Sequence, residues 1–171
     1  KLTIPQHPYW EINKHQFETV ANVDQDIISI LRNKFLKNSE NTTKEKLYID
    51  RSDSKYFHMQ IENTEELHKF LKKNNFKILR LSEITFEDQI SLFQNAEIVV
   101  GAHGAGLCNL IFCHPKTKVI EFSNKEFKCD LFKNICKINN LDYYKYISEK
   151  EVPIDRINPD IKVSINKLSE L

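Results

Sequence analysis

Apolar residues recur along this chain in two alternating rhythms. Between Asp24 and Leu36 they fall at Ile27, Ile28, Leu31 and Phe35, one face of a helix. Leu67, Phe70 and Leu71 mark a second helical face over Asn63–Asn74, with Asn63 in the N-cap position. Phe86, Ile90 and Phe93 mark a third over Thr85–Asn95. Leu131, Phe132, Ile135 and Ile138 mark a fourth over Phe127–Ile138. Between these lie short runs of strand character: Leu47–Asp50, Phe76–Leu81, Glu97–Val100, Lys118–Phe122 and Asp142–Ile147. The Ile98-Val99-Val100 run suits a strand covered on both faces. A short helix over Ala105–Phe112 stops before Pro115. In the tail, Ile161, Val163 and Ile165 alternate like a strand, and Asn166 stands where it would cap a last helix.

This alternation predicts an α/β fold, a Rossmann-like parallel sheet with helices on both faces. Right-handed crossovers restrict its topology. A strand order of 2-1-3-4-5 places the first and third predicted strands side by side, so that Arg51 and His103 flank one crevice beyond the carboxyl ends of the strands. Residues 46–150 form this domain. Residues 1–45 read as a connector and helix leading into it, with Pro5, Pro8, Tyr9 and Trp10 in an extended stretch that packs its aromatics. Residues 151–171 read as a tail that packs on the domain.

Composition narrows the choices. Lys and Arg number 25 against 24 Asp and Glu, a net charge of +1 that gives no case for nucleic acid or a membrane surface as partner. No apolar run approaches the roughly 20 residues needed to span a bilayer, and the start carries no leader pattern. Cys108, Cys113, Cys129 and Cys136 show no CxxC pair and read as reduced core thiols. Asp24-Gln25-Asp26 has a spacing able to chelate a cation, but it opens a helix, where acidic residues are expected anyway. No metal or cofactor is expected.

Glycine changes the picture most. The chain has Gly 3 in total, at 101, 104 and 106, against an average usage of about 7%. The reading is that backbone there needs positive φ or close approach by a ligand. A buried strand runs into this turn and then into a helix whose first N–H groups and dipole favour an anion. Gly104, Ala105 and Gly106 would bring a diphosphate to the backbone, with His103 and Asn109 adding donors. The bland alternative is a tight turn with a satisfied histidine. Glu121 ends the next strand and suits two vicinal ribose hydroxyls, or is simply a solvated carboxylate. Arg51 ends the first strand and suits a bidentate phosphate clamp, or a surface ion pair. A dinucleotide-binding oxidoreductase is disfavoured because the spacing is GxxGxG, not GxGxxG. An esterase is disfavoured because no glycine remains for a G-x-S-x-G turn.

The stretch Thr85–Phe112, with Pro115 and Lys118-Val119-Ile120-Glu121 after it, closely resembles the hallmark of glycosyltransferase family 61. Leu47-Tyr48-Ile49-Asp50-Arg51-Ser52 is similar to that family's first strand and its arginine. One departure is Lys116, where the family usually has glycine. The resemblance implies one half of a GT-B fold: the C-terminal, donor-binding domain of an inverting transferase. It implies a nucleotide-sugar donor and a glycan or glycoconjugate acceptor, with surface or capsular polysaccharide as the setting. It further implies an acceptor domain before Lys1 and a cytoplasmic location, with membrane association through a region outside this chain. Gln89 would then line the base or sugar pocket. No catalytic base is identified. The rival within this frame is a non-catalytic nucleotide-binding domain of the same fold.

Overall fold

The computed structural model describes residues 10–12, 18–21, 23–36, 44–54, 59–125, 127–148 and 160–171. The readings for Pro5, Pro8, Tyr9 and the Trp10 side chain lie outside these. Strands β1 (Trp10–Ile12) and β2 (Glu18–Ala21) form an antiparallel pair. Helix α1 (Gln25–Phe35) follows, and Asp24 caps it by accepting from Asp26 N at 2.8 Å and Ile27 N at 3.4 Å. The Asp24-Gln25-Asp26 spacing is thus helix-start chemistry.

Strand β3 (Glu45–Ile49) begins the main sheet. Helix α2 (Thr64–Lys73) leads to β4 (Phe76–Leu79), which gives way to a 3₁₀ turn over Leu81–Glu83. Helix α3 (Phe86–Gln94), capped by Thr85, leads to β5 (Ala96–Ala102). A 3₁₀ helix over Ala105–Phe112 then leads to β6 (Lys118–Asn124). The two-residue β7 (Lys128–Cys129), α4 (Leu131–Ile138), β8 (Asp142–Ser148) and α5 (Ile165–Ser169) complete the chain. The main sheet is parallel, in the order β4-β3-β5-β6-β8. Counted from β3, that is the expected 2-1-3-4-5.

Alternation along the strands separates two apolar layers. Leu47, Ile49, Val99 and Val119 face α1, α3, α4 and the long 3₁₀ helix, joining Ile28, Phe93, Leu107 and Phe132. Tyr48, Val100, Ile120, Phe122 and Tyr146 face α2 and α5, joining Leu67, Leu71 and Leu168. Helices therefore cover both faces, because each strand alternates apolar residues outward in both directions.

Some expectations fail in detail. Asn63 does occupy the N-cap position of α2, but its side chain makes no bond to the helix backbone: Nδ2 donates to Glu66 Oε2 and to Val163 O, both at 2.8 Å, and Oδ1 accepts from Val163 N at 3.0 Å. Ser164, not Asn166, caps the last helix, and Ile165 begins it. Only Ile161 bridges as a strand residue, to Ile61. Helix α4 starts at Leu131, four residues later than its apolar spacing suggested, because Lys128–Cys129 pairs with β2 instead. Cys113, Cys129 and Cys136 are buried thiols, whereas Cys108 is exposed.

Candidate functional site

The parallel sheet ends at one edge in three consecutive segments: Asp50–Ser52 after β3, Ala102–Gly104 after β5, and the last residues of β6. β3 and β5 are direct neighbours, Ile49 opposite Gly101. Arg51 and His103 therefore do flank one crevice. The Arg51 guanidinium lies across Gly104 and donates through Nη1 to the His103 carbonyl. A Cβ at Gly104 would sit 2.6 Å from Arg51 Cζ. The surface ion pair considered for Arg51 forms elsewhere: Asp50 takes Arg80 at 3.4 Å, and its other contacts go to Ser52. Burial pulls the Arg51 pKa below its usual value, opposed by the charge of Asp53. A guanidinium still stays cationic at any physiological pH.

Arg51 also borders a narrow cleft of about 20 Å³ whose walls include Tyr48, Asp50, Met59, Gln60 and Ala102. Met59 adopts a left-handed φ of 57° there, an uncommon choice for an unbranched apolar residue and a mark of local constraint.

The three glycines have φ outside the left-handed region, which corrects half of the expectation drawn from them. Gly104 is extended, with φ 167°. What they supply is closeness to the protein itself. A Cβ at Gly106 would meet Leu81 Cδ1 at 2.9 Å and Ile49 Cγ2 at 3.2 Å. The long 3₁₀ helix is thereby pressed onto β3 and the Leu81 turn, with Ala105 exposed at its start. In a 3₁₀ helix the first N–H groups have no partner inside the helix, and these belong to Ala105 and Gly106.

The two amide side chains assigned to the site brace it. Gln89 Nε2 donates to Leu81 O at 2.9 Å and Ile84 O at 3.0 Å. Gln89 Oε1 accepts from Asn109 Nδ2 at 2.9 Å, and Asn109 also donates to Gly106 O at 3.4 Å. Asn109 and Gln89 thus tie helix α3, the Leu81 turn and the 3₁₀ helix together, with their amide hydrogens turned inward.

Glu121 is put to a different use from the ribose contact expected of it. It is fully buried, at 0% exposure. Oε1 lies 2.6 Å from His103 Nδ1, and Oε2 accepts from the Tyr143 hydroxyl at 2.6 Å. The strand runs on past the expected end to Asn124, so Glu121 sits three residues inside β6, on the face covered by α4, and not on the rim. The imidazole of His103 packs between Phe127 and Phe132, at 4.4 and 4.8 Å between ring centroids. Burial lowers the His103 pKa, but hydrogen bonds with Cys129 and Glu121, and their charges, outweigh it and leave it raised. Burial, then the charge of Glu121, pushes the Tyr143 hydroxyl well up, so it stays a donor. Burial, with Glu121, pushes the Cys136 thiol up to about 12.

Sequence reasoning missed Tyr143 and Arg32. Arg32 Nη1 donates to the Ile111 and Cys113 carbonyls, closing the far end of the long 3₁₀ helix. Its signal was a cation within the last turn of an otherwise apolar helix face. Tyr143 had no signal beyond its alternation with Tyr144 along β8.

Comparison with known proteins places the chain in a family. Residues 8–120 match the family model described as Glycosyltransferase 61. A beta-1,2-xylosyltransferase of Arabidopsis thaliana is 34% identical over 64 residues, covering 37% of this chain and 12% of that protein. A beta-1,2-xylosyltransferase of Oryza sativa subsp. japonica is 33% identical over 63 residues, with the same coverages of 37% and 12%. The chain therefore spans about an eighth of the length of the curated relatives it matches. With the family match running over most of the chain, and the strand, arginine and glycine turn assembled at one sheet edge, this protein belongs to glycosyltransferase family 61.

Proposed function

We propose that this chain is the donor-binding domain of an inverting glycosyltransferase that moves a sugar from a nucleotide-sugar donor to a glycan hydroxyl. One observation carries the reading. Arg51 and the start of the Ala105–Phe112 helix converge at the carboxyl edge of a parallel sheet, between strands whose connections diverge. Such an edge is where anionic ligands of α/β sheets sit.

In this reading the diphosphate meets the N–H groups of Ala105 and Gly106, the guanidinium of Arg51 and the imidazole of His103. Leaving-group charge is met by fixed donors aimed at the place where it develops. Glu121 serves the donor indirectly, by holding His103, and Gln89 and Asn109 keep the glycine turn in place. The acceptor and a general base come from a second domain, since direct displacement needs the acceptor hydroxyl deprotonated as the nucleoside diphosphate departs. The xylosyl specificity of the two plant relatives makes a xylose donor the first to try. Surface or capsular polysaccharide is the acceptor class to test with it.

The test is calorimetric titration of uridine diphosphate into wild type and His103→Ala. The expected outcome is binding by wild type and at least about a tenfold loss in the variant, the effect of one charged hydrogen bond. Equal affinity would remove His103 from the site. Binding without sugar transfer by the full-length protein would favour the rival, a non-catalytic nucleotide-binding domain.

A further inference from the structure

Beneath His103 lies a polar chain deeper than a turn histidine requires. Tyr143 on β8 donates to Glu121 Oε2, and Glu121 Oε1 meets His103 Nδ1, both at 2.6 Å. Glu121 has no exposure to solvent, and two donors converge on its two oxygens. A buried carboxylate is tolerable only when its oxygens are so occupied. The three groups come from three neighbouring strands at staggered levels, His103 just beyond β5, Glu121 midway along β6 and Tyr143 near the start of β8, and parallel pairing sets their spacing: Ala102 lies opposite Phe122, and Tyr143 opposite Val119.

Resting on the donor-binding reading above, we propose that Tyr143 is a positioning residue for the phosphate site, acting on His103 through Glu121. The chain Tyr143–Glu121–His103 holds the ring in one orientation with hydrogen on Nδ1, directed inward. A histidine so held carries charge toward a ligand without rotating to find it, as partners at one remove do for metal-bound imidazoles. Other groups face this chain. Cys129 on β7 hydrogen-bonds the imidazole. Asp130 and Cys136 act on Tyr143 from α4 and its cap. Arg51 reaches only the His103 carbonyl. Phe127 and Phe132 enclose the ring with apolar surface.

The test combines two readouts on the full chain. Nitrogen-15 NMR of the histidine side chains reports the tautomer and titration of His103 without any ligand. Calorimetry with uridine diphosphate reports the site. In Tyr143→Phe, which keeps the aromatic ring, the Glu121 charge is left more available to the ring, so the His103 titration midpoint is expected to move up and, with its orientation loosened, the affinity to fall about tenfold. A merely structural tyrosine would move neither. Unchanged His103 resonances and unchanged affinity in Tyr143→Phe, with His103→Ala still weakened, overturn the proposal. Equal affinity of wild type and His103→Ala overturns instead the phosphate-site reading on which it rests. Wild type alone gives a check that needs no variant: neutral His103 carrying its hydrogen on Nε2 would also overturn the chain.

Discussion

Glycine scarcity in this protein separates two uses of the residue that usually overlap. Left-handed backbone is found at Met59, Asn75, Lys116 and Asn140, none of them glycine. Asparagine tolerates that region through local hydrogen bonding. Lys116, with φ 71°, explains why the family usually places glycine there. The glycines go instead where a Cβ would crowd its neighbours, tightly at Gly101 and to the point of collision at Gly104 and Gly106. Substitution should therefore give two different phenotypes. Gly106→Ala forces its Cβ against Leu81 and Ile49, and should cost about 1–3 kcal/mol of stability as overpacking. Gly104→Ala collides with the far end of a flexible arginine, which can swing away. It should cost under about 1 kcal/mol of stability but weaken uridine diphosphate binding. Urea denaturation beside calorimetry checks both, and equal stability losses would contradict the distinction.

At the scale of elements, the periodic segments were the legible ones. Helices α1 and α3 and the main strands follow from spacing alone, and the strand order is one that right-handed crossovers allow without fixing it. Boundaries were lost where a side chain had two possible employers. Asn63 divides its side chain between Val163 and Glu66 and leaves the helix backbone uncapped, and Lys128–Cys129 joins a strand and not α4. The site was legible as a location and less so as a set of roles. Arg51 and His103 sat where the pattern put them. Glu121, Gln89 and Asn109 turned inward, because a sequence shows that a residue ends a strand but not which layer its side chain enters. The amide brace gives a test at this scale. Gln89→Ala removes one partner each from the Leu81 carbonyl, the Ile84 carbonyl and Asn109, and should cost about 1–3 kcal/mol. Limited proteolysis should then cut the Leu81–Ile84 turn sooner than in wild type. A loss under half of that, with unchanged cleavage, would show the brace to be ornamental.

For the whole molecule, the raised pKa of His103 makes stability depend on pH. The folded chain holds this proton more tightly than the unfolded one, whose value is about 6.5. The contribution is complete below about pH 6.5 and is lost as pH climbs through the higher folded-state value. Wild type should therefore lose more of its urea midpoint between about pH 6 and pH 9 than His103→Gln does. Equal losses would mean that the buried network around Glu121 does not favour the imidazolium. Among the described residues no helix is long and apolar enough to cross a membrane.

Parallel pairing also dictates an order of assembly during synthesis. β3 finds β5 only after the chain has run from Ile49 to Gly101, and ribosomes add about 5–20 residues each second. The nascent β3 has only α2 and β4 to pack against for several seconds, until its central neighbour emerges. Arg51 meets Gly104 at the same moment, so the ligand crevice is born with the middle of the sheet and cannot precede it.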